Sequence, residues 1–228
     1  MTAYFSDASL KFLRALALHN NKPWFDKHKP QYEAHVRQPF LRLITDLQPD
    51  LAAVSQHFRA DPRTVGGSMF RIYRDARFSH DKSPYKSWQG ARLFHERRRE
   101  VAAPSFYIHL QPGASFVGAG LWRPEPKTQL RIRHFILDNP ASWKATAHSP
   151  TLRKRFDFGQ ENKLVRPPRG FPADFEFIDD LKHRNWVFVR PLDDATMTGP
   201  KLRETIAGDL VMLGPFVDYL CAALDLEF

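Results

Sequence analysis

Two alternating runs, Ser105–Leu110 (SFYIHL) and Ser115–Leu121 (SFVGAGL), are separated only by Gln111-Pro112-Gly113-Ala114. So short a turn joins antiparallel strands, because a parallel return needs a crossover of about a dozen residues or more. Other extended segments surround this hairpin. Residues 87–94 and 186–189 read as strands, and Gly66-Gly67 marks the entry to β structure. Residues 70–73 alternate too, with Phe70 and Ile72 on the core face and Arg71 and Tyr73 on the other.

Helical patterns lie outside this block. Residues 6–19 carry Leu10, Leu13, Leu16 and Ala17 at helical spacing behind a Ser6 cap. Asn20-Asn21 ends that helix and Pro23 opens the next. A long helical region then reaches residue 58, with a stripe of Leu41, Ile44, Leu47, Leu51 and Val54. Pro30 and Pro39 fall inside it, so separate helices or kinks are expected. Residues 129–137, 142–147, 173–182 and 200–224 return to helix, the last with a break at Pro215, and residues 166–172 form a Pro/Arg loop. This order predicts an α+β fold, a mainly antiparallel sheet packed with N- and C-terminal helices, rather than a doubly wound parallel sheet. One domain is expected over residues 1–228, helical over about 1–60 and sheet-centred over about 66–228.

Charge narrows the choice of partner. The formal net charge is +9, and residues 71–99 hold nine Lys/Arg against three Asp/Glu. A localised positive field favours phosphate-rich or otherwise anionic partners, either a small molecule or nucleic acid. The single cysteine, Cys221, excludes an intrachain disulfide and a multi-thiolate metal site, and reads as a buried hydrophobe in a helix over 210–224. No secretory signal is visible, and no apolar stretch reads as the roughly 18 residues of a membrane span. A cytoplasmic location, with no membrane partner, is expected.

The densest part of the positive field is residues 70–86, FRIYRDARFSHDKSPYK. Arg71, Arg74, Arg77, Lys82 and Lys86 are interleaved with Tyr73, Phe78 and Tyr85. Guanidinium forks match phosphate or carboxylate geometry, ammonium groups add point charge, and aromatic rings offer a stacking face. Asp75 is expected to orient a guanidinium through a bidentate pair. The ligand-binding candidates are therefore Arg71, Tyr73, Arg74, Asp75, Arg77, Lys82, Tyr85 and Lys86. The rival is a structural network in which Asp75 and Asp81 neutralise the arginines internally.

The same stretch carries a resemblance. RIYRDARFSHDKSPYK resembles the hallmark of domain-of-unknown-function family 2461, found in bacteria and fungi. Asn20-Asn21-Lys22-Pro23-Trp24-Phe25, residues 106–110 and residues 118–124 are similar to further parts of that family, so the likeness spans nearly the whole chain, weakening after about residue 190. The resemblance implies membership and brings no reaction, cofactor or catalytic residue with it.

Other constellations are weaker. Gly118-Ala119-Gly120 lacks the third glycine of a dinucleotide fingerprint, and no cofactor is expected. The two glycines are read as open space beside the basic loop, with Trp122 as a wall. The ten histidines show no metal-ligand spacing. Asp81 and His109 are the candidate catalytic groups, with Ser79 and Ser83 as turn residues beside Asp81. Arg92 and Arg97-Arg98-Arg99 extend the basic stripe toward a nucleic-acid reading, the run 97–99 being expected at a hairpin tip. Trp143 and Trp186 are expected in the core.

Overall fold

Helix α1 (Asp7–Leu18) starts at Ser6, whose backbone N–H donates to Ser9 Oγ (3.1 Å), and buries Leu10, Phe12, Leu13 and Leu16. The Asn21 side chain accepts from Trp24 N–H (3.0 Å) and opens α2 (Lys22–Tyr32), with Pro23 in the first turn, where its missing N–H costs nothing. The computed structural model describes residues 3–75, 77 and 80–228.

The region expected to hold separate helices or kinks is two α-helices joined by a turn of a third kind. Helical backbone continues from α2 through a π-helical turn, Glu33–Arg37, into α3 (Gln38–Val54). Gln38 N–H reaches back five residues to Glu33 C=O, one residue before Pro39, which can donate no bond at all. A wider turn absorbs the irregularity. The buried stripe of α3 is Phe40, Leu43, Ile44, Leu47 and Leu51, with Leu41 and Val54 at its margin.

A six-stranded antiparallel sheet follows, in the order β1-β2-β3-β4-β6-β5. Its strands are β1 (Phe58–Arg59), β2 (Gln89–His95), β3 (Ser105–Leu110), β4 (Ser115–Leu121), β5 (Asp157–Phe158) and β6 (Trp186–Leu192). Between β4 and β5 lie α4 (Pro126–Asp138), α5 (Pro140–Ala147) and α6 (Pro150–Arg155). The short α7 (Ile178–Leu181) precedes β6, and α8 (Asp194–Thr198) and α9 (Leu202–Ala222) close the chain. The fold is therefore α+β. The helix expected over 173–182 shrinks to the four residues of α7.

Register assigns each face of the sheet. Ala91 lies opposite Ile108, Ile108 opposite Val117, and Ala119 opposite Phe188. These residues point into the core against α3 and α9. Arg92 lies opposite Tyr107, Gly90 opposite His109, and Gly118 opposite Val189, all on the other face. Trp143 and Trp186 are fully buried, and so is Cys221, whose thiol pKa burial pushes up to about 12.

Four corrections concern local readings. Gly118 and Gly120 do not open space for a ligand. A Cβ on Gly118 would overlap Phe188 O, and one on Gly120 (φ +133°) would overlap Trp186 O, so these glycines let β4 approach β6 closely. Trp122, at the end of that strand, is 54% exposed and walls nothing. Pro215 does not break α9. Helix α9 is also long and apolar enough to cross a membrane by length and composition, contrary to expectation, and more than half of its apolar window is buried in the core.

One buried ion network braces the helices against the sheet, and one buried histidine packs on β5. Asp209 of α9 is fully buried and takes Arg155 Nε on one oxygen (2.8 Å) and Arg190 Nε on the other (3.0 Å), joining α9, the end of α6 and β6. His183 is fully buried against Phe158, with ring centroids 4.4 Å apart, and among the described residues neither ring nitrogen meets a partner at hydrogen-bond geometry.

Candidate anion-binding cleft

The basic motif folds as a ribbon rather than as a strand followed by a loop. Residues 68–70 first run beside β2. Phe70 N–H donates to Gly90 C=O and Arg92 N–H to Ser68 C=O, both 2.9 Å. The chain then pairs with itself. Arg74 N–H donates to Pro84 C=O and Lys86 N–H to Ile72 C=O, both 2.8 Å, which places Tyr73 opposite Tyr85. Pro84 is tolerated because the ladder uses its carbonyl. Ile72 is buried as expected, whereas Phe70 turns toward Tyr107, with ring centroids 5.8 Å apart. Phe70 thus leaves the core face on which it was expected. The expected sites Phe78 and Ser79 lie outside the described residues.

Side chains from the α1–α2 junction lock the ribbon in place. Asn20 Nδ2 donates to Tyr85 C=O (2.9 Å), and Asn20 Oδ1 accepts from Tyr85 N–H (3.0 Å). The Tyr85 ring stacks on Phe25 with centroids 4.1 Å apart. Between this junction, the ribbon and the start of β2 lies a cleft of about 260 Å³. Asn20, Arg74, Asp81, Tyr85, Lys86 and Trp88 line it, and Ala17, Ser83 and Ser87 complete the wall.

Its charges are held by different means. Lys86 Nζ donates to Arg71 C=O (2.6 Å) and Tyr73 C=O (2.8 Å), closing the ribbon while leaving its third proton for another acceptor. Burial, and then the neighbouring Arg71, lower the Lys86 pKa. Arg74 pairs with Asp81, whose Oδ1 also accepts from Ser83 Oγ (2.6 Å) and Ser83 N–H (2.9 Å). The Ser83 bonds, followed by Arg74, hold the Asp81 carboxyl far below the ordinary range, so it is a fixed anion. The Arg74 and Asp81 side chains are 32% and 58% exposed, so the pair sits at the surface and leaves Arg74 facing the cleft.

The remaining candidates fall elsewhere. The bidentate grip expected of Asp75 forms with Arg77, through Nε (2.9 Å) and Nη2 (2.7 Å), and holds the Asp75 pKa down. That pair is highly exposed and neither partner lines the cleft. Lys82 Nζ lies 3.5 Å from Arg77 C=O, Arg71 is exposed, and the exposed Tyr73 ring leans on Tyr85 at 5.5 Å. His109 is buried behind Trp88, with ring centroids 4.7 Å apart. Its Nε2–H donates to Gln111 Oε1 (2.9 Å) and its Nδ1 accepts from the Tyr107 hydroxyl (3.1 Å). Burial lowers its pKa, so the ring is a neutral brace. Asp81 and His109 are thus not brought to one cleft.

Trp88, Asn20 and Ser87 were not expected at the site. The resemblance at Asn20-Asn21-Lys22-Pro23-Trp24-Phe25 was the signal for Asn20. Trp88 could be found only by continuing the two-residue alternation from Lys86 into β2. Among the described residues, no three His, Cys, Asp or Glu side chains gather as metal ligands.

These features define an α+β protein with an antiparallel sheet and a basic ribbon clasped to its N-terminal helices. The chain belongs to the family described as Conserved hypothetical protein (DUF2461), whose model matches residues 8–219. No curated protein and no solved structure matches it.

Proposed function

We propose that the protein binds a small anionic ligand, of the phosphate-bearing kind, in the cleft between the basic ribbon and the α1–α2 junction. The observation that carries this reading is the convergence of Arg74 and Lys86 on one hollow walled by Trp88. Arg74 offers a guanidinium fork, Lys86 a remaining ammonium proton, and Asn20 and Ser87 polar groups at the rim. Trp88 supplies an apolar wall for the rest of the ligand. Asp81 fixes the reach of Arg74 and offsets one charge, which favours a ligand of low charge over a bare polyphosphate.

The purely structural reading makes a different prediction for Arg74. A buried pair would unfold the protein when broken. This pair is exposed, so Asp81→Asn, which breaks it from the other side, should lower the thermal midpoint by no more than about 4 °C. The test is a thermal-shift screen of inorganic phosphate, nucleoside monophosphates and sugar phosphates on wild type and Arg74→Ala. Stabilisation of wild type that disappears in the variant supports the reading. Equal shifts in both proteins, or no shift with any compound, reject it.

A further inference from the structure

The outward face of β2, β3 and β4 carries a second arrangement, which adjoins the cleft and shares Trp88 with it. Phe70, Trp88, Tyr107, His109 and Phe116 pave it with rings in contact. His109 and Phe116 stack on one another, their planes 16° apart with centroids at 4.6 Å, and Tyr107 lies across Gly90, where a Cβ would collide with its hydroxyl. Except for His109, these rings remain partly open to solvent.

Arg92 stands at the edge of this pavement. It is partly buried, which lowers its pKa, yet among the described residues its guanidinium has no hydrogen bond and no acidic partner. Further cations gather there. Arg98 stacks over Phe94, with its guanidinium carbon 3.3 Å from the ring centroid, and it feels the repulsion of Arg92, Arg99 and Arg63, which Asp61 opposes. Asp61 is itself clamped by Arg63. A guanidinium held in a half-dry site without a counter-charge, among like charges, loses stability unless an anion visits. Gly90, Arg92 and Phe94 alternate onto this side of β2, and Trp88 and Lys86 lie in the segment that leads into it, so cations bracket the rings over a span of up to roughly 20 Å from residue 86 to residue 92.

We infer that this face binds single-stranded nucleic acid, its bases resting on the Trp88–Tyr107–Phe116 pavement and its phosphates on Arg92, Arg98 and Arg99. A duplex keeps its bases stacked inside and offers no free base face to the rings, whereas a single strand offers both base faces and phosphates. Trp88 is common to both sites, but the inference rests on Arg92 and the Tyr107 and Phe116 rings, which do not line the cleft, and stands if the cleft takes no small anion.

The test is fluorescence anisotropy with a labelled oligothymidylate of about 12 nucleotides, alone and annealed to its complement. Three phosphate contacts predict a fall in affinity of about 20-fold between about 50 and 200 mM salt. Arg92→Gln should weaken binding and flatten the slope of log affinity against log salt by about 0.7. Trp88→Ala should weaken binding about tenfold or more while leaving that slope unchanged. Trp88→Phe, which keeps a ring in place, should retain most of the affinity and guards against misfolding of the alanine variant. Binding that prefers the duplex, that is unchanged in both Arg92→Gln and Trp88→Ala, or that never occurs at low salt overturns the inference.

Discussion

Asn20 gives Tyr85, from a side chain, both backbone hydrogen bonds that a neighbouring strand would supply, at 2.9 and 3.0 Å. The opposite edge of the same segment is paired with residues 72–74. The α1–α2 junction therefore acts as a one-residue strand, and one carboxamide joins the second arm of the basic ribbon to it. Asn20→Ala leaves a donor and an acceptor beside a buried ring without partners, and should cost about 2–4 kcal/mol in urea denaturation. Asn20→Asp keeps the acceptor for Tyr85 N–H and should lose about half as much. An alanine variant as stable as wild type would show that the clasp is dispensable.

His183 makes the protein acid-sensitive in a defined window. Burial, then the charge of Lys163, hold its pKa down at about 4, with Arg153 acting the same way and Asp180 and the Gly159 backbone opposing. In the unfolded chain it titrates at about 6.5. Between those values the unfolded state binds the proton and the folded state does not, so stability is whole above about pH 6.5 and falls as the pH drops toward 4, by about 3 kcal/mol from this residue. His183→Phe removes two unpartnered nitrogens and should flatten the dependence of the denaturation midpoint across that window while leaving stability near neutrality close to wild type. A variant that keeps the wild-type pH profile would assign the acid sensitivity to other groups.

Asp209 is a fully buried carboxylate that meets two arginines. Removing it by Asp209→Ala strands Arg155 and Arg190 and should destabilise the protein by about 3–5 kcal/mol. Replacing all three together by Leu, Met and Met should recover most of that loss, because the cost comes from orphaned charge rather than from lost attraction. Chemical denaturation of the single and triple variants separates the two causes.

Gly120 tests the close packing of β4 on β6. Gly120→Ala places a methyl group against Trp186 O at a backbone angle that L residues avoid, and should cost about 2 kcal/mol or more. A neutral effect on the thermal midpoint would restore the reading of free space on that strand.

The hairpin of β3 and β4 was legible to the residue, because alternation and a Pro-Gly turn agree there and no tertiary contact has to arbitrate. The core of α3 was legible for the same reason, although its exact stripe shifted by a residue at either side. The second arm of the basic ribbon, residues 84–86, was not. It contains a proline, three polar or charged neighbours and no alternation, and its pairing is decided by Asn20, more than sixty positions away in the chain. Gly118 and Gly120 were misread because a missing side chain says that something approaches, not whether it is ligand or strand. The motif was rightly recognised as basic, but charge density alone could not separate Arg74 and Lys86, which face a hollow, from Asp75 and Arg77, which satisfy each other.

Both borders of the sheet are strands of two residues, β1 and β5. A border that short offers an incoming chain too few free amides and carbonyls to template a match. The protein can therefore display a ring-paved sheet surface to solvent while denying neighbouring copies the ladder on which fibrillar assembly would grow.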